Sequence, residues 1–401
     1  MSARIEYEDL KFKEEEGRIK ADFMNNYYFY LEKKDLESIA SFKANSGGLE
    51  FGCSEKRARS KMSLLIGKGF QGLKHKVRDK PALYIHKNSG IPLIGSNEFG
   101  VVDRGSNILE VKPLTGCNLS CIFCSVNEGI NDKADIVVEK DYLVEEFEKL
   151  SKIKEHSVEA NIGPQGEPLL YPKLVELVRD LKEIRNVKII SMNTNGVTLH
   201  RKLIDRLAEA GLDRINLSVH SLDKEKASKL MNGTYPLENI LKMIRYCEGK
   251  IDVLLAPVLI PGHNEEDIDG IIELSKTIKN KKWPSIGIQN YLNYKGGRNI
   301  TKEMPWEDFF EFLRKKEREH NVKLIVDENV FGIYKDNALE KPFKKGQIVK
   351  AEIKAHGRNK KEKLCVANER VITVINCEKE KGSVKIKLLR DKHNVFTAIP
   401  A

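Results

Sequence analysis

The chain has 401 residues, of which 40% are hydrophobic and 32% are charged, so it has enough apolar material for a folded core and is not a disordered protein. No apolar run reaches the roughly 18 to 20 residues of a spanning helix, and the N-terminus is acidic, so we expect a cytoplasmic protein without membrane contact. The formal net charge is +10. Only four residues are glutamine, and this scarcity predicts a heat-adapted source.

Residues 1–105 are expected to form an N-terminal α+β domain. Two stretches with helical patterns come first, and the segment 82–95 then predicts a hairpin that turns on Asn88, Ser89 and Gly90. Nothing in these residues indicates a role for this domain.

Residues 106–335 alternate short apolar strands with amphipathic helices. The strand candidates are 108–113, 158–163, 187–194, 213–220, 251–260 and 285–291. Six such alternations predict an α/β domain with parallel strands, whose chemistry collects at the carboxyl ends of the strands.

Residues 341–401 carry the whole excess of positive charge. They hold 16 basic and 6 acidic side chains, whereas the other 340 residues hold 53 of each sign. Strand-length runs of Val, Ile and Leu predict a small β-barrel within this segment. A basic module on a neutral body indicates a tether to a polyanion, with a solvated lysine-rich tail as the alternative.

Three of the seven cysteines, Cys117, Cys121 and Cys124, lie within eight residues, just after the strand 108–113. Three thiolates on one loop can share a metal centre, because soft sulfur ligands suit zinc or an iron–sulfur cluster. A structural zinc site uses a fourth protein ligand, and none follows at finger spacing. Three buried structural cysteines are the remaining alternative.

The C-x3-C-x2-C run, with Phe123 before its last cysteine, resembles the cluster loop of the radical S-adenosylmethionine (SAM) superfamily. Four segments at the ends of the later strands match motifs of the family and follow one another in the family's order. These segments are 163–168, 193–196, 218–223 and 258–264. Gln165 stands where the family usually has glycine. The resemblance implies a partial (β/α)6 radical SAM barrel, with the N-terminal α+β extension before it and the small C-terminal antiparallel β-barrel after it.

This resemblance implies that Cys117, Cys121 and Cys124 hold a [4Fe-4S] cluster with one open iron, which binds SAM. Reductive cleavage of SAM would give a 5′-deoxyadenosyl radical, and the electron would come from a donor such as ferredoxin or flavodoxin. The implied SAM contacts are Phe123, Gln165, Gly166, Glu167, Pro168, Asn195, Ser218, His220 and Ile260. Glu167 also fits a carboxylate at a helix start, and His220 fits an ordinary structural histidine.

The basic module resembles a TRAM domain, an OB-like barrel found on RNA-modifying enzymes that include methylthiotransferases. The resemblance rests on the Gly-Gln-Ile-Val sequence from Gly346 and the Gly-Ser-Val-Lys sequence from Gly382. Such a barrel would follow RNA phosphates with a cationic face. Lys385, Lys387 and Arg390 are the expected RNA contacts, because Lys385 and Lys387 alternate onto one face of a predicted strand and Arg390 follows at its end.

The sequence therefore predicts a radical SAM transferase that modifies a base in structured RNA, in particular tRNA, by methylation or methylthiolation-type chemistry. A radical SAM enzyme acting on a peptide, a protein or a small metabolite is the alternative, and a non-catalytic RNA-binding protein with a structural metal is the third hypothesis. Methylthiotransferases carry three further cluster cysteines in an N-terminal domain, where this chain has only Cys53. Catalytic roles for Cys53, Cys247, Cys365 and Cys377, the modified atom and the oligomeric state stay open.

Overall fold

The structure is a computed structural model that describes residues 2–45, 47–129 and 132–401. These residues divide into two compact units. The first comprises the chain up to residue 86 together with 132–137 and 357–360. The second comprises the remaining described residues. It contains both the α/β region and the basic module, which are therefore parts of one unit.

The first unit is built on two antiparallel sheets and one long helix. Its elements are β1 (Ala3–Glu6), β2 (Leu10–Glu15), β3 (Arg18–Phe23), β4 (Tyr27–Glu32), α1 (Lys33–Glu37), β5 (Phe42–Asn45), β6 (Gly48–Phe51), α2 (Glu55–Gly69), β7 (Lys74–His75) and β8 (Ala82–Ile85). The sheets have the orders β1-β6-β5 and β2-β3-β4-β7. Every second residue of β3 is buried, from Ile19 to Phe23, so one face of the larger sheet packs into a core.

The α/β region of the second unit follows in chain order. Its elements are β9 (Gly100–Asp103), β10 (Ile108–Lys112), α3 (Lys140–Ser151), β12 (Val158–Ile162), α4 (Leu174–Glu183), β13 (Val187–Thr194), α5 (Arg201–Ala210), β14 (Arg214–Leu217), α6 (Lys224–Met231), α7 (Leu237–Cys247), β15 (Asp252–Leu255), β16 (Val258–Leu259), α8 (Asp267–Lys276), β17 (Gln289–Asn290) and α9 (Trp306–His320). The strand between β10 and α3 in the sequence, β11 (Asp135–Val138), has its first three residues in the first unit, where it pairs with β8. One sheet has the order β15-β14-β13-β12-β10-β9. Strands β10, β12, β13, β14 and β15 run parallel, and β9 pairs antiparallel at the edge.

Five of the six predicted parallel strands are confirmed in this sheet. The sixth, β17, pairs instead with β16, in a separate parallel pair of two residues each. Pro257 separates β15 from β16, and proline cannot donate a ladder hydrogen bond, so the sheet is interrupted there. An isolated parallel bridge between Leu255 and Ile286 joins the two parts.

The predicted hairpin over residues 82–95 is wrong. β8 pairs with β11, and a single 3-10 turn, Lys87–Ser89, follows β8. The segment after this turn gives its carbonyls to the basic module: Val371 N–H donates to the Ile94 carbonyl (3.0 Å), and Phe396 N–H donates to the Gly95 carbonyl (2.8 Å). Its hydrogen-bonding partners therefore lie almost 300 residues away in the sequence.

The C-terminal residues form a closed five-stranded barrel, as the sequence predicts. Its strands are β18 (Ile348–His356), β19 (Lys363–Ala367), β20 (Arg370–Val374), β21 (Gly382–Arg390) and β22 (Thr397–Pro400), in the order β18-β19-β20-β22-β21. The expectation of a purely antiparallel barrel is wrong at one place, because β20 and β22 pair in parallel. Phe343, Ile372 and Phe396 are among the side chains that fill the barrel core.

Among the described residues, no helix has the length and apolar character that crossing a lipid bilayer requires.

Candidate functional site

A cavity of about 450 Å³ opens at the carboxyl ends of the parallel strands. Its walls come from the loop after β10, the turn after β12 and the ends of β13 and β14, and from residues around β16 and β17. Parallel α/β folds place their chemistry at this end of the sheet, because the loops that leave the strands converge there.

Cys117, Cys121 and Cys124 all line this cavity and are half-buried. Backbone bonds to the end of α6 hold their loop, since Ile122 N–H donates to the Leu230 carbonyl (2.9 Å). The Cys121 sulfur lies 3.4 Å from the sulfur of Met231. The three thiols therefore face one space from a loop whose path is set by an element more than 100 residues away.

Cys117 and Cys121 are held in surroundings that disfavour their thiolates unless a metal is bound. Burial, and to a smaller extent the neighbouring Cys124, raises the pKa of Cys121 to about 12, and burial also raises the pKa of Cys117. Metal binding must therefore release protons from these groups. Among the described residues that line the cavity, no fourth cysteine or other thiolate accompanies these three soft donors, and such a set fits an iron–sulfur cluster that keeps one iron open.

The turn after β12 packs directly on the cysteine loop. Glu167 N–H donates to the Gly116 carbonyl (2.8 Å), and Gln165 donates through its side-chain amide to a carboxylate oxygen of Glu128 (2.5 Å). Gly166 has a φ of +65°, and a Cβ there would lie 2.6 Å from the Gly116 carbonyl oxygen. Only glycine allows this turn to approach the loop so closely.

Glu167 is buried, and the chain's own donors already satisfy its carboxylate. Its oxygens accept hydrogen bonds from the Thr194 hydroxyl (2.6 Å), from Asn195 N–H (2.8 Å) and from Leu169 N–H (3.0 Å). Burial raises the pKa of Glu167, and these hydrogen bonds oppose that rise. The side chain thus ties the β12 turn to the end of β13 and also caps the short 3-10 helix Pro168–Leu170.

Asn195 and Ser218 lie side by side at the ends of β13 and β14 and line the cavity. The Asn195 amide donates to Asn118 on the cysteine loop (2.8 Å), and its oxygen accepts from Val197 N–H (3.0 Å). The backbone N–H of Ser218 donates to the Thr194 carbonyl (2.9 Å). The end of β13 is thereby joined both to the cysteine loop and to β14.

His220 is buried beside the cavity, and burial lowers its pKa to about 4, so the ring is neutral at neutral pH. Its Nδ1 accepts from Val258 N–H (3.1 Å), which places the proton on Nε2 and makes that atom a donor. The ring meets Phe123 edge-on, with centroids 4.7 Å apart. A neutral ring in a fixed tautomer suits a hydrogen-bond contact better than a proton shuttle at neutral pH.

The structure brings most of the expected SAM contacts together. Those that line the cavity with the cysteines are Phe123, Gly166, Glu167, Asn195, Ser218 and His220. Gln165, Pro168 and Ile260 are not among the described lining residues. Gln165 braces the cysteine loop, and Ile260 is fully buried in a cluster that packs against Phe123.

Sequence reasoning missed a polar ladder across three neighbouring strands. The Asn216 amide donates to Asn193 (2.7 Å), and the Asn193 amide donates to Asn161 (3.1 Å). Below them, Arg214 donates to Glu159 (2.6 Å) in a buried ion pair. The signal was present, because each strand has polar residues two positions apart, at 159 and 161, 191 and 193, and 214 and 216. Asn193 and Asn216 line the cavity.

The basic module has its own candidate surface on the outside of β18 and β21. Lys385 and Lys387 are exposed and alternate with buried Ile386 and Leu388, and Arg390 is exposed at the strand end. Lys350 of β18 stands directly opposite Lys385. Among the described residues, no carboxylate forms an ion pair with Lys350, Lys385 or Lys387, whereas Lys354 pairs with Glu352.

Comparison with known proteins identifies relatives across much of the chain. The radical SAM superfamily model matches residues 111–275. The chain is 41% identical over 358 residues to uncharacterized protein MJ0103 of Methanocaldococcus jannaschii, which covers 81% of this chain and 82% of that protein. It is 30% identical over 256 residues to the GTP 3',8-cyclase of Aquifex aeolicus, which covers 61% of this chain and 78% of that enzyme.

Among solved structures, Streptococcus suis SuiB bound to S-adenosylmethionine is 15% identical to this chain. The match has a TM-score of 0.42 and covers 81% of this chain and 74% of SuiB.

Proposed function

Because this chain belongs to the radical SAM superfamily, we propose that it is an enzyme that modifies a base in structured RNA, with tRNA as its substrate. The cavity supplies the reaction site, and the basic barrel supplies the affinity for RNA. Methylation and methylthiolation-type transfer are the proposed reaction classes.

Radical SAM proteins use a [4Fe-4S] cluster and SAM, and the residues around the cavity fit both. Cys117, Cys121 and Cys124 would hold the cluster, which supplies one-electron reduction of SAM. The chain's own groups hold the cysteine loop, keep His220 neutral and line the cavity with amides. The family needs a reductant, and a ferredoxin or a flavodoxin is the proposed donor.

The observation that carries the RNA proposal is the exposed lysine face of the barrel. Like charges directly opposite each other on paired strands destabilise a sheet, and Lys350 faces Lys385 in this way. A bound polyanion would remove that repulsion. Within the part of the chain that the structure describes, no carboxylate pairs with these lysines, so their charges are available to phosphates.

The contacts between the barrel and the segment that precedes β9 also favour the outer face of β18 and β21 as the RNA-binding surface. In OB-type barrels the second and third strands form the usual oligonucleotide surface. Here the third strand, β20, is engaged with the segment that precedes β9, since Val371 N–H donates to the Ile94 carbonyl and the Val371 carbonyl oxygen lies 2.0 Å from where a Gly95 Cβ would be. The outer face of β18 and β21 carries the exposed lysines instead.

Nucleoside analysis tests the proposal. Total tRNA from a strain that lacks this protein is digested and compared by mass spectrometry with tRNA from the parent strain. One modified nucleoside should disappear, and anaerobic incubation of the mutant tRNA with reconstituted protein, SAM and dithionite should restore it. Identical nucleoside profiles in tRNA and in other structured RNA would contradict the proposal.

The second candidate substrate is a free purine nucleotide, which would be the small metabolite of the alternative hypothesis. It is favoured by the similarity to GTP 3',8-cyclase over 256 residues. The same reconstituted protein incubated with GTP and SAM distinguishes the two candidates. Consumption of GTP with formation of 5′-deoxyadenosine, together with unchanged tRNA, would support the nucleotide and reject the RNA.

A further inference from the structure

Arg298 lies 177 residues from Cys121 in the sequence and is bonded to the cysteine loop at three points. Its guanidinium donates to the Cys121 carbonyl (2.7 Å) and to the Glu128 carbonyl (2.9 Å). Its backbone N–H donates to the Cys124 carbonyl (2.9 Å). The three carbonyls span the part of the loop that carries two of the three cysteines.

The segment that delivers Arg298 is itself closely fitted to the loop. Gly297 lies so near that a Cβ there would be 2.8 Å from the Ser125 carbonyl oxygen. The Tyr291 hydroxyl accepts from Ile300 N–H (3.0 Å) and lies 3.3 Å from the Arg298 carbonyl oxygen. The position of the guanidinium is thus set by contacts on both sides of Arg298.

Two electrostatic features accompany this clamp. No carboxylate among the described residues forms an ion pair with Arg298, so its positive charge is not neutralised beside the loop. The clamped residue Glu128 also donates its backbone N–H to the Cys124 sulfur (3.3 Å). Nearby charge and hydrogen bonds to the sulfurs are two of the means by which proteins tune iron–sulfur potentials.

We infer that Arg298 is a positioning residue that raises the reduction potential of the cluster held by Cys117, Cys121 and Cys124. It does so by placing a positive charge, and the Glu128 N–H, beside the thiolates. Adding one electron makes the cluster more negative, so both features stabilise the reduced state. The inference goes beyond the proposed function because it is independent of the substrate.

The test compares Arg298→Gln and Arg298→Lys with the control Lys295→Gln in the full-length, anaerobically reconstituted protein. Lys295 is an exposed lysine three positions away, and its substitution removes the same charge without touching the loop. Potentiometric titration followed by electron paramagnetic resonance gives the midpoint potential, and iron transfer to a chelator gives the retention of the cluster. Circular dichroism shows whether each variant is folded.

Arg298→Gln should move the midpoint to a more negative potential and speed iron loss by roughly 10- to 100-fold, the range typical of residues that support metal ligands. Arg298→Lys should keep the midpoint near that of the wild type but still lose iron faster, because one ammonium cannot bridge both carbonyls. Lys295→Gln should change neither quantity. A wild-type midpoint in folded Arg298→Gln overturns the inference even if iron is lost faster. If Arg298→Gln takes up no cluster, a strongly negative midpoint in Arg298→Lys overturns it.

Discussion

Neutralising the lysine face of the barrel should weaken RNA binding in a salt-dependent manner. The change is the triple substitution of Lys350, Lys385 and Lys387 by Gln. All three side chains are exposed on the outer face of β18 and β21, and none has an ion-pair partner among the described residues. The substitutions therefore remove three charges without breaking an internal contact.

The magnitude follows from counterion release. Each phosphate contact contributes roughly −0.7 to −0.9 to the slope of log affinity against log salt, so three lost contacts reduce the slope by about 2 to 3 units. Between about 50 and 200 mM salt, the ratio of the wild-type RNA affinity to the variant RNA affinity should fall by roughly 20- to 40-fold. The barrel itself should not be destabilised, because removing the repulsion between Lys350 and Lys385 is worth roughly 0.2–1 kcal/mol in its favour.

Fluorescence anisotropy with labelled tRNA over this range of salt measures the slope, and thermal unfolding checks the barrel. The matched control replaces Lys202, Lys224 and Lys242 by Gln, since these are exposed on α5, α6 and α7 and have no ion-pair partner among the described residues. Equal slopes for the two triple variants would refute the reasoning. Full-length protein is needed, because truncation would expose the Ile94 and Gly95 carbonyls that bond to the barrel.

The remaining predictions concern the cavity. Cys121→Ala should abolish the roughly four irons per chain expected after anaerobic reconstitution, as measured by iron analysis; tight stoichiometric zinc without iron would contradict the cluster. Gly166→Ala should reduce cluster uptake, because its Cβ would lie 2.6 Å from the Gly116 carbonyl oxygen, and uptake equal to that of the wild type would show that the turn can move. The pKa of His220 falls from 6.5 to about 4 on folding, so the unfolded chain binds more protons below pH 6.5. Acidification from pH 6.5 to 4 should therefore lower the free energy of unfolding of the wild-type apoprotein by up to about 3 kcal/mol more than that of His220→Gln, as measured by urea unfolding. Parallel pH profiles of the two proteins would place the pKa of His220 near its ordinary value.

Local spacing was sufficient to predict that three thiols would meet on one loop. Cys117, Cys121 and Cys124 lie within eight residues, so any compact path of this loop brings their sulfurs close together. The positions of the strands were equally predictable, because a parallel sheet buried on both faces leaves short apolar runs in the sequence. Strand ends then indicated which polar residues, among them Asn195 and Ser218, would meet at the cavity.

The polar ladder across β12, β13 and β14 also has a signature in the sequence. Glu159 and Asn161, and likewise Arg214 and Asn216, stand two residues apart within strands that are otherwise apolar. Because side chains alternate between the faces of a strand, such pairs mark one polar face. In a sheet whose strands are parallel, that face must line a cavity or form a buried network, and here it does both.

Composition and periodicity by themselves determined where the charge lies, which loop carries the thiols and which segments form the parallel strands and the C-terminal barrel, because each of these depends on neighbours within a few residues. Only the tertiary structure decided that Thr194 and Asn195 donate hydrogen bonds to the Glu167 carboxylate. The same holds for the parallel pairing of β20 with β22 and for the hydrogen bond from Arg298 to Cys121, which lies 177 residues away in the sequence. Such contacts join segments distant in the chain. Their partners depend on strand register and loop paths, which no local pattern of residues encodes.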